Sequence, residues 1–508
     1  MSTAIVSSTV LVTILTILEV VYVVLLATWI LFEKRPPVST IAWILALIAL
    51  PYVGFIVFFF FGPRRLVRKR LKHRRARGKA HACDEQGAGP LVAVAPHLED
   101  PRVRQLEQLA VSLGEPAVDL CDDVTIFHDA ASTYDAIEQA IRAAKHHVHV
   151  AYYIFDSGRA GTRFADLLIA RAKEGLTVRV LVDHVGSSAM KRSMIEAMRA
   201  SGIKFAWYNA VKISRIRSRF DFRNHRKIVV CDGVVGFTGG INVCDDYLPE
   251  PERAPSSLRS VAGPPEERAA RRRVRQGHPA PWRDTHVRLR GDAVRWLQLT
   301  FFDDWHYATN YVTREPAYFP PPSGTGGHHV QIVASGPDRE SEPIHRLYFA
   351  AIALAQTRVL VTTPYFVPDG ALLAALTTAA LRGVDVRILV PRRGDSLVVT
   401  AAARSYYDGV IASGARVYEY QPTMVHAKTL VVDDFFAAVG TANIDNRSFR
   451  INFEVVAVLY GSGHADALAE QFHRDLASAQ EIDKPTRARI PLGWRVAEAG
   501  ARLLSPLL

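Results

Sequence analysis

Two short stretches restrict this chain more than its length does: HRKIVVCD at 225–232 and HAKTLVVD at 426–433. Each reads His-x-Lys, four residues, then Asp. The likeness continues after a further six residues, with Gly239, Gly240, Ile241 and Asn242 in the first copy and Gly440, Thr441, Ala442 and Asn443 in the second. His and Asn are equally spaced in both. A likeness of this length argues an internal duplication, and the surroundings agree. STYDAIEQAIRAAKHHVHVAYYIF reads as a helix running into a strand, and IHRLYFAAIALAQTRVLVTTPYF does the same later. Each is followed by a second helix and strand, ADLLIARAKEGLTVRVLVD and LLAALTTAALRGVDVRILVP, with Gly175 and Gly383 at the expected helix C-caps. Ser132 with Asp135 has the spacing of a capping box. Alternation of this kind predicts an α/β fold of two tandem domains, a duplicated mixed β-sheet covered by helices.

The N-terminus is of another kind. Residues 3–32 carry one charge, Glu19, and IAWILALIALPYVGFIVFFFF at 41–61 carries none. About 20 apolar residues cross a bilayer, so spans at about 8–32 and 41–61 form a transmembrane hairpin over residues 1–63. A secretory signal fits poorly, because there is no basic leader and a second apolar run follows. Residues 64–120 make a basic juxtamembrane segment and linker, 121–320 a first domain and 321–508 a second. Ten Lys and Arg lie between Arg64 and Lys79 without an acid among them. The positive-inside rule places that segment, and the body after it, in the cytoplasm.

The net charge of +12 falls to about +2 without those ten residues, so the body has no broad basic face. That weighs against a nucleic-acid partner. The four cysteines, Cys83, Cys121, Cys231 and Cys244, have no framework spacing and read as free thiols. Residues 248–282, rich in Pro, Arg, Glu and Ser, read as a flexible insertion between the halves, either a lid or a surface loop without a role.

In a strand, residues i and i+2 share a face, so His225 projects with Lys227 and His426 with Lys428. Lysine and an Asn amide suit phosphate oxygens. A neutral imidazole can attack phosphorus, and a second can protonate a leaving alcohol and deprotonate an incoming one. One histidine cannot conveniently do both from one side of an in-line displacement. Two facing copies can.

The repeated pattern resembles the HKD motif of the phospholipase D superfamily. Within it the chain is similar to the bacterial cardiolipin synthases, through LPYVGFIVFFFFGPRR at 50–65, GGIN at 239–242, WRDTH at 282–286, TTPYFVPD at 362–369 and GTANIDNRSFRINFE at 440–454. The resemblance implies transfer of a phosphatidyl group from one phosphatidylglycerol to another, giving cardiolipin and glycerol through a phosphohistidine. It implies catalytic His225, Lys227, Asp232, His426, Lys428 and Asp433, with His225 as nucleophile and His426 as acid and base. Asn242 and Asn443 would bind phosphate. Asp284 in the first half and Glu454 in the second would each orient an imidazole. Asp232 and Asp433 also fit a structural role at a strand end. No cofactor or metal is implied, and the pairs His146–His147 and His328–His329 are too isolated for a zinc site. The substrate, product and bilayer are the expected partners. A membrane-bound hydrolase, a tethered phosphodiesterase and a catalytically dead scaffold are the competing readings. The stretches YYIF and PYF read as strand core or as pocket lining, and the C-terminal WRVAEAGARLLSPLL as an interfacial helix or as packing on the body.

Overall fold

In the computed structural model the described residues are 2–32, 40–41, 44–45, 48, 98–210, 222–249, 280–311 and 315–507. Most of the second apolar run, the basic segment and nearly all of the insertion therefore lie outside the described residues. The chain divides into two compact units, Met1–Lys69 and Arg70–Leu508.

In the first unit, Ser2–Phe32 is one helix of 31 residues. Ile44, from the second apolar run, packs with Leu26 and Trp29 around buried Ile30. Counting only residues whose side chains are described, no helix is long and apolar enough to cross a membrane.

Among the described residues the second unit carries a continuous sheet of 15 strands and a small sheet of two. The first half contributes β1 (Asp119–Phe127), β2 (His147–Tyr152), β3 (Thr177–Asp183), β4 (Lys204–Tyr208), β5 (Ile228–Cys231), β6 (Val235–Gly239) and β7 (His286–Gly291). The second contributes β8 (His328–Ser335), β9 (Arg358–Thr362), β10 (Phe366–Val367), β11 (Asp385–Pro391), β12 (Arg416–Tyr420), β13 (Thr429–Val432), β14 (Phe436–Gly440), β15 (Ile444–Asp445), β16 (Glu454–Tyr460) and β17 (Ala479–Ile482). Across the large sheet the order is β17-β12-β11-β9-β13-β14-β16-β8-β1-β7-β6-β5-β2-β3-β4. Apart from β17 the order is a palindrome, with β1 matching β8, β2 matching β9 and β5 matching β13. Each half has three parallel strands at its outer side and antiparallel ones inside. The halves join where β1 pairs antiparallel with β8, from Asp119 opposite Val330 to Cys121 opposite His328.

The sequence explains most of this locally. Strand β2 is buried on both faces, as expected of a strand covered by helices. Gly175 and Gly383 take positive φ, +98° and +90°, at the helix ends that they close. The expected capping box is corrected by one turn. The helix runs Ala130–Ala143, and Asp129, not Ser132, is the cap, accepting from the Ser132 amide at 2.8 Å. The linker expectation also shortens. A helix at Pro101–Ser112 already belongs to the body, with Val103 and Leu106 in the core of the second half. Cys121, Cys231 and Cys244 are buried and take part in no disulfide.

Candidate active site

The site forms where the two halves meet edge to edge, and backbone pairing explains its geometry. Neither histidine lies inside a strand. Each sits on an extended lead-in, three residues before β5 or β13. An isolated parallel bridge joins Asn224 to Phe453, and another joins Arg283 to Val425. One residue past the first bridge come His225 and Glu454; one past the second come Asp284 and His426. The His225 amide donates to Phe453 O at 2.9 Å, and the His426 amide to Arg283 O at 2.7 Å.

The acids therefore cross between halves. His225 Nδ1 lies 2.9 Å from Glu454 Oε2, and His426 Nδ1 lies 2.7 Å from Asp284 Oδ2. Sequence reasoning finds both acids but associates each with its own half, and the bridges reverse that pairing. With Nδ1 hydrogen bonded to a carboxylate, Nε2 of each ring is the nitrogen available for chemistry.

The two acids are seated differently. A Cβ at Gly240 would stand 2.0 Å from Asp284 Oδ1, so only glycine lets the short Asp approach. In the second half Thr441 takes the matching place, and its hydroxyl donates to Glu454, with Asn452 Nδ2 adding a bond at 3.2 Å. Tyr247 is a residue that sequence reasoning misses. Its hydroxyl donates to Asp284 Oδ2 at 3.1 Å and stands 2.9 Å from His426 Nδ1. It sits at the border of the insertion, where no periodicity or motif marks it.

The lysines are buried beside the rings. Lys227 Nζ donates to His225 O at 2.7 Å, and Lys428 Nζ donates to His426 O and lies 2.9 Å from His426 Nδ1. The spacing His-x-Lys does bring each pair together. Asn242 is fixed by the Ile154 amide, which donates to its Oδ1 at 3.2 Å. Asn443 is buried, and its amide N–H bonds Ser448 Oγ at 3.1 Å. The aromatic stretches divide between both expected roles. Tyr152, Phe155 and Phe366 are core, whereas the Tyr153 ring lies 5.0 Å from that of His225.

Of the two roles open to Asp232 and Asp433, their contacts support the structural one. Both lie past the far end of their strands with positive φ, +55° and +49°. Asp232 accepts from the amides of Lys145, His146 and His147 at 2.7–2.9 Å. Asp433 accepts from those of Gln356, Thr357 and Arg358 at 2.8–3.0 Å. Burial pushes both carboxyls up, but the backbone donors outweigh it and hold them below the usual range. Each aspartate thus ties the start of β2 or β9 to its neighbour. Asp433→Ala strips three amides of their acceptor, at about 1–3 kcal/mol for a buried unmet group. The expected outcome is a loss of about 2–4 kcal/mol in denaturant unfolding with the site's chemistry retained in the folded fraction. Wild-type stability with lost turnover would restore a direct role.

Burial pulls the His225 imidazole down to about 4, against the attraction of Glu454. Burial and Lys428 pull His426 to about 3. Both rings are neutral at pH 7 in the free protein, as a nucleophile or base must be. Burial also lowers Lys227 to about 7 and Lys428 to about 8. Raised pH therefore discharges the lysines, and the two positive charges that would hold a phosphodiester are lost in turn. kcat/KM, which reports the free enzyme, is expected to fall as pH rises through 7 and 8. A profile level to pH 10 would contradict this use of the lysines.

The chain is similar to known proteins. The family described as "Cardiolipin synthase, PLD-like domain" matches residues 137–249 and 348–476, and the family described as "Phospholipase_D-nuclease N-terminal" matches 20–63. The chain is 37% identical over 494 residues to the cardiolipin synthase of Geobacillus thermodenitrificans, covering 96% of this chain and 92% of that one. It is 36% identical over 490 residues to cardiolipin synthase 2 of Bacillus anthracis, covering 94% and 88%. Among solved structures it is similar in fold to phosphatidylserine synthase from Haemophilus influenzae Rd KW20, with TM-score 0.57 and 14% identity over 80% of this chain and all of that one. With 37% identity to a named synthase over 96% of its length and both motifs in one crossed site, the chain belongs to the cardiolipin synthase family of phospholipase D-like proteins.

Proposed function

We propose that the protein is a cardiolipin synthase that joins two phosphatidylglycerol molecules at the paired histidines. The crossed contacts Glu454–His225 and Asp284–His426 carry this reading, because they set two neutral imidazoles, each with an oriented ring, beside two lysines in one site. His225 Nε2 attacks phosphorus as the bond to the leaving glycerol oxygen breaks, and that oxygen takes a proton from His426. Burial and the repulsion of Lys428 keep His426 neutral in the free protein; a bound phosphodiester offsets that repulsion so that His426 takes up a proton, and Asp284 stabilises the imidazolium. The terminal hydroxyl of a second phosphatidylglycerol then gives its proton to His426, its oxygen attacks phosphorus, and the phosphorus–nitrogen bond breaks. His225 and protonated His426 return to their starting forms. Lys227, Lys428, Asn242 and Asn443 hold the non-bridging oxygens.

The N-terminal unit supports a membrane anchor. Its 31-residue helix has one charge, and Ile44 packing on Ile30 is what a hairpin of two spans requires. The ten basic residues after it favour a cytoplasmic body at an inner membrane.

The test is product analysis. Purified protein given radiolabelled phosphatidylglycerol without any nucleotide is expected to form cardiolipin and glycerol in equal amounts. Phosphatidic acid as the sole lipid product would make it a hydrolase, since transfer and hydrolysis share the first step and differ in which hydroxyl reaches the phosphohistidine.

A further inference from the structure

The C-terminal helix Leu492–Arg502 is turned the opposite way from a helix that only packs on a core. Its buried side chain is charged: Glu498, paired with Arg487 at 2.7 Å. Leu492, Val496, Ala499 and Leu503, at i, i+4, i+7 and i+11, form one stripe on another face, and all are exposed. Trp494, at the start of the helix, is 65% exposed and Leu503 82%. The helix packs against Leu397–Arg404, whose first residues, Leu397 and Val398, are exposed too, Leu397 at 88%. Single exposed apolar residues are ordinary, but a set concentrated on two packed helices marks an interaction surface.

The charge and position of this surface identify its partner. From 483 to 506 the exposed charges are Lys484, Arg489, Arg495 and Arg502 against one acid, Asp483. Both ends of the surface border the active site. Two residues before Leu397, Asp395 accepts a hydrogen bond from Tyr365 at 2.7 Å, and its charge acts on Lys428. At the other end, Ser505 O accepts from Asn446 Nδ2 at 3.1 Å, three residues past Asn443. An aliphatic stripe with tryptophan and basic flanks suits the headgroup boundary of an anionic bilayer.

We propose that these two helices form a second membrane-docking face, lying in the headgroup boundary of a bilayer rich in phosphatidylglycerol and holding the mouth of the histidine site against the layer that contains its substrate. The proposal rests on the lipid-transfer reading above. Its test uses the full-length protein in proteoliposomes. Brominated phosphatidylglycerol is expected to quench tryptophan fluorescence in the wild type and to quench a smaller share in Trp494→Phe. The double variant Leu397→Asp/Leu503→Asp is expected to lose about tenfold in turnover of bilayer phosphatidylglycerol and to turn over monomeric short-chain phosphatidylglycerol at the wild-type rate. Equal quenching in Trp494→Phe would overturn the proposal. So would equal loss on both substrate forms, which would mean damage to the fold, or loss of self-association in the double variant, which would mean that a second copy covers the face. A wild type that makes cardiolipin from neither form would instead overturn the lipid-transfer reading, while the quenching would still report on docking.

Discussion

Alanine at His225 or at His426 is expected to remove at least about 10⁴-fold of the turnover while the circular dichroism spectrum stays that of the wild type. The fold tolerates either loss because the bridges that position these residues are made by backbone atoms. The amide at 225 still donates to Phe453 O, and Glu454 keeps the hydroxyl of Thr441 and the amide of Asn452 as donors. On the proposed mechanism the chemistry does not tolerate it, since each ring supplies a step that the other cannot reach. The two variants should also differ from each other. His225→Ala has no nucleophile, so no leaving group is released whatever its nature. His426→Ala keeps the nucleophile and lacks the proton donor, so a substrate that loses p-nitrophenolate, which needs no proton, should give a single burst. Bursts of equal size in both variants would end the division of labour.

The second large effect concerns the acids. Asp284→Asn and Glu454→Gln are each expected to lower kcat by about 10²–10⁴-fold, through the tautomer and orientation of the histidine each one holds. The crossed pairing makes their signatures different. Asp284 contacts His426, the proposed proton donor, so the first step of Asp284→Asn should recover with the p-nitrophenyl leaving group. Glu454 acts on His225, so Glu454→Gln should stay slow with either leaving group. The opposite pattern would exchange the roles of the two histidines.

What the sequence reveals and what it hides divide along physical lines. The helices and strands of each half, the His-x-Lys pairs and Gly175 and Gly383 are legible because they follow from residues near one another in the chain. Asp284 and Glu454 are legible as acids, but their crossing is not. It depends on the bridges Asn224–Phe453 and Arg283–Val425, which join residues far apart in the chain. Asp232 and Asp433 show the converse. Their motif positions are plain, but their positive φ and the three amides each one holds place them at the far end of the strand. Tyr247 has no sequence signal at all, since its partners Asp284 and His426 lie 37 and 179 residues away. The cap at Asp129 displaces the expected one at Ser132 because its carboxylate already takes the Ser132 amide, leaving that serine inside the first turn.

One measurement tests most directly whether the duplicated motif supplies one nucleophile and one acid/base. The His426→Ala variant is mixed with phosphatidyl-p-nitrophenol labelled with ³²P, quenched under alkaline conditions in which phosphohistidine survives, and digested. The label is expected on the peptide that contains His225, near one per molecule, and nowhere in His225→Ala. A protein without label, or with label retained in His225→Ala, would contradict the account.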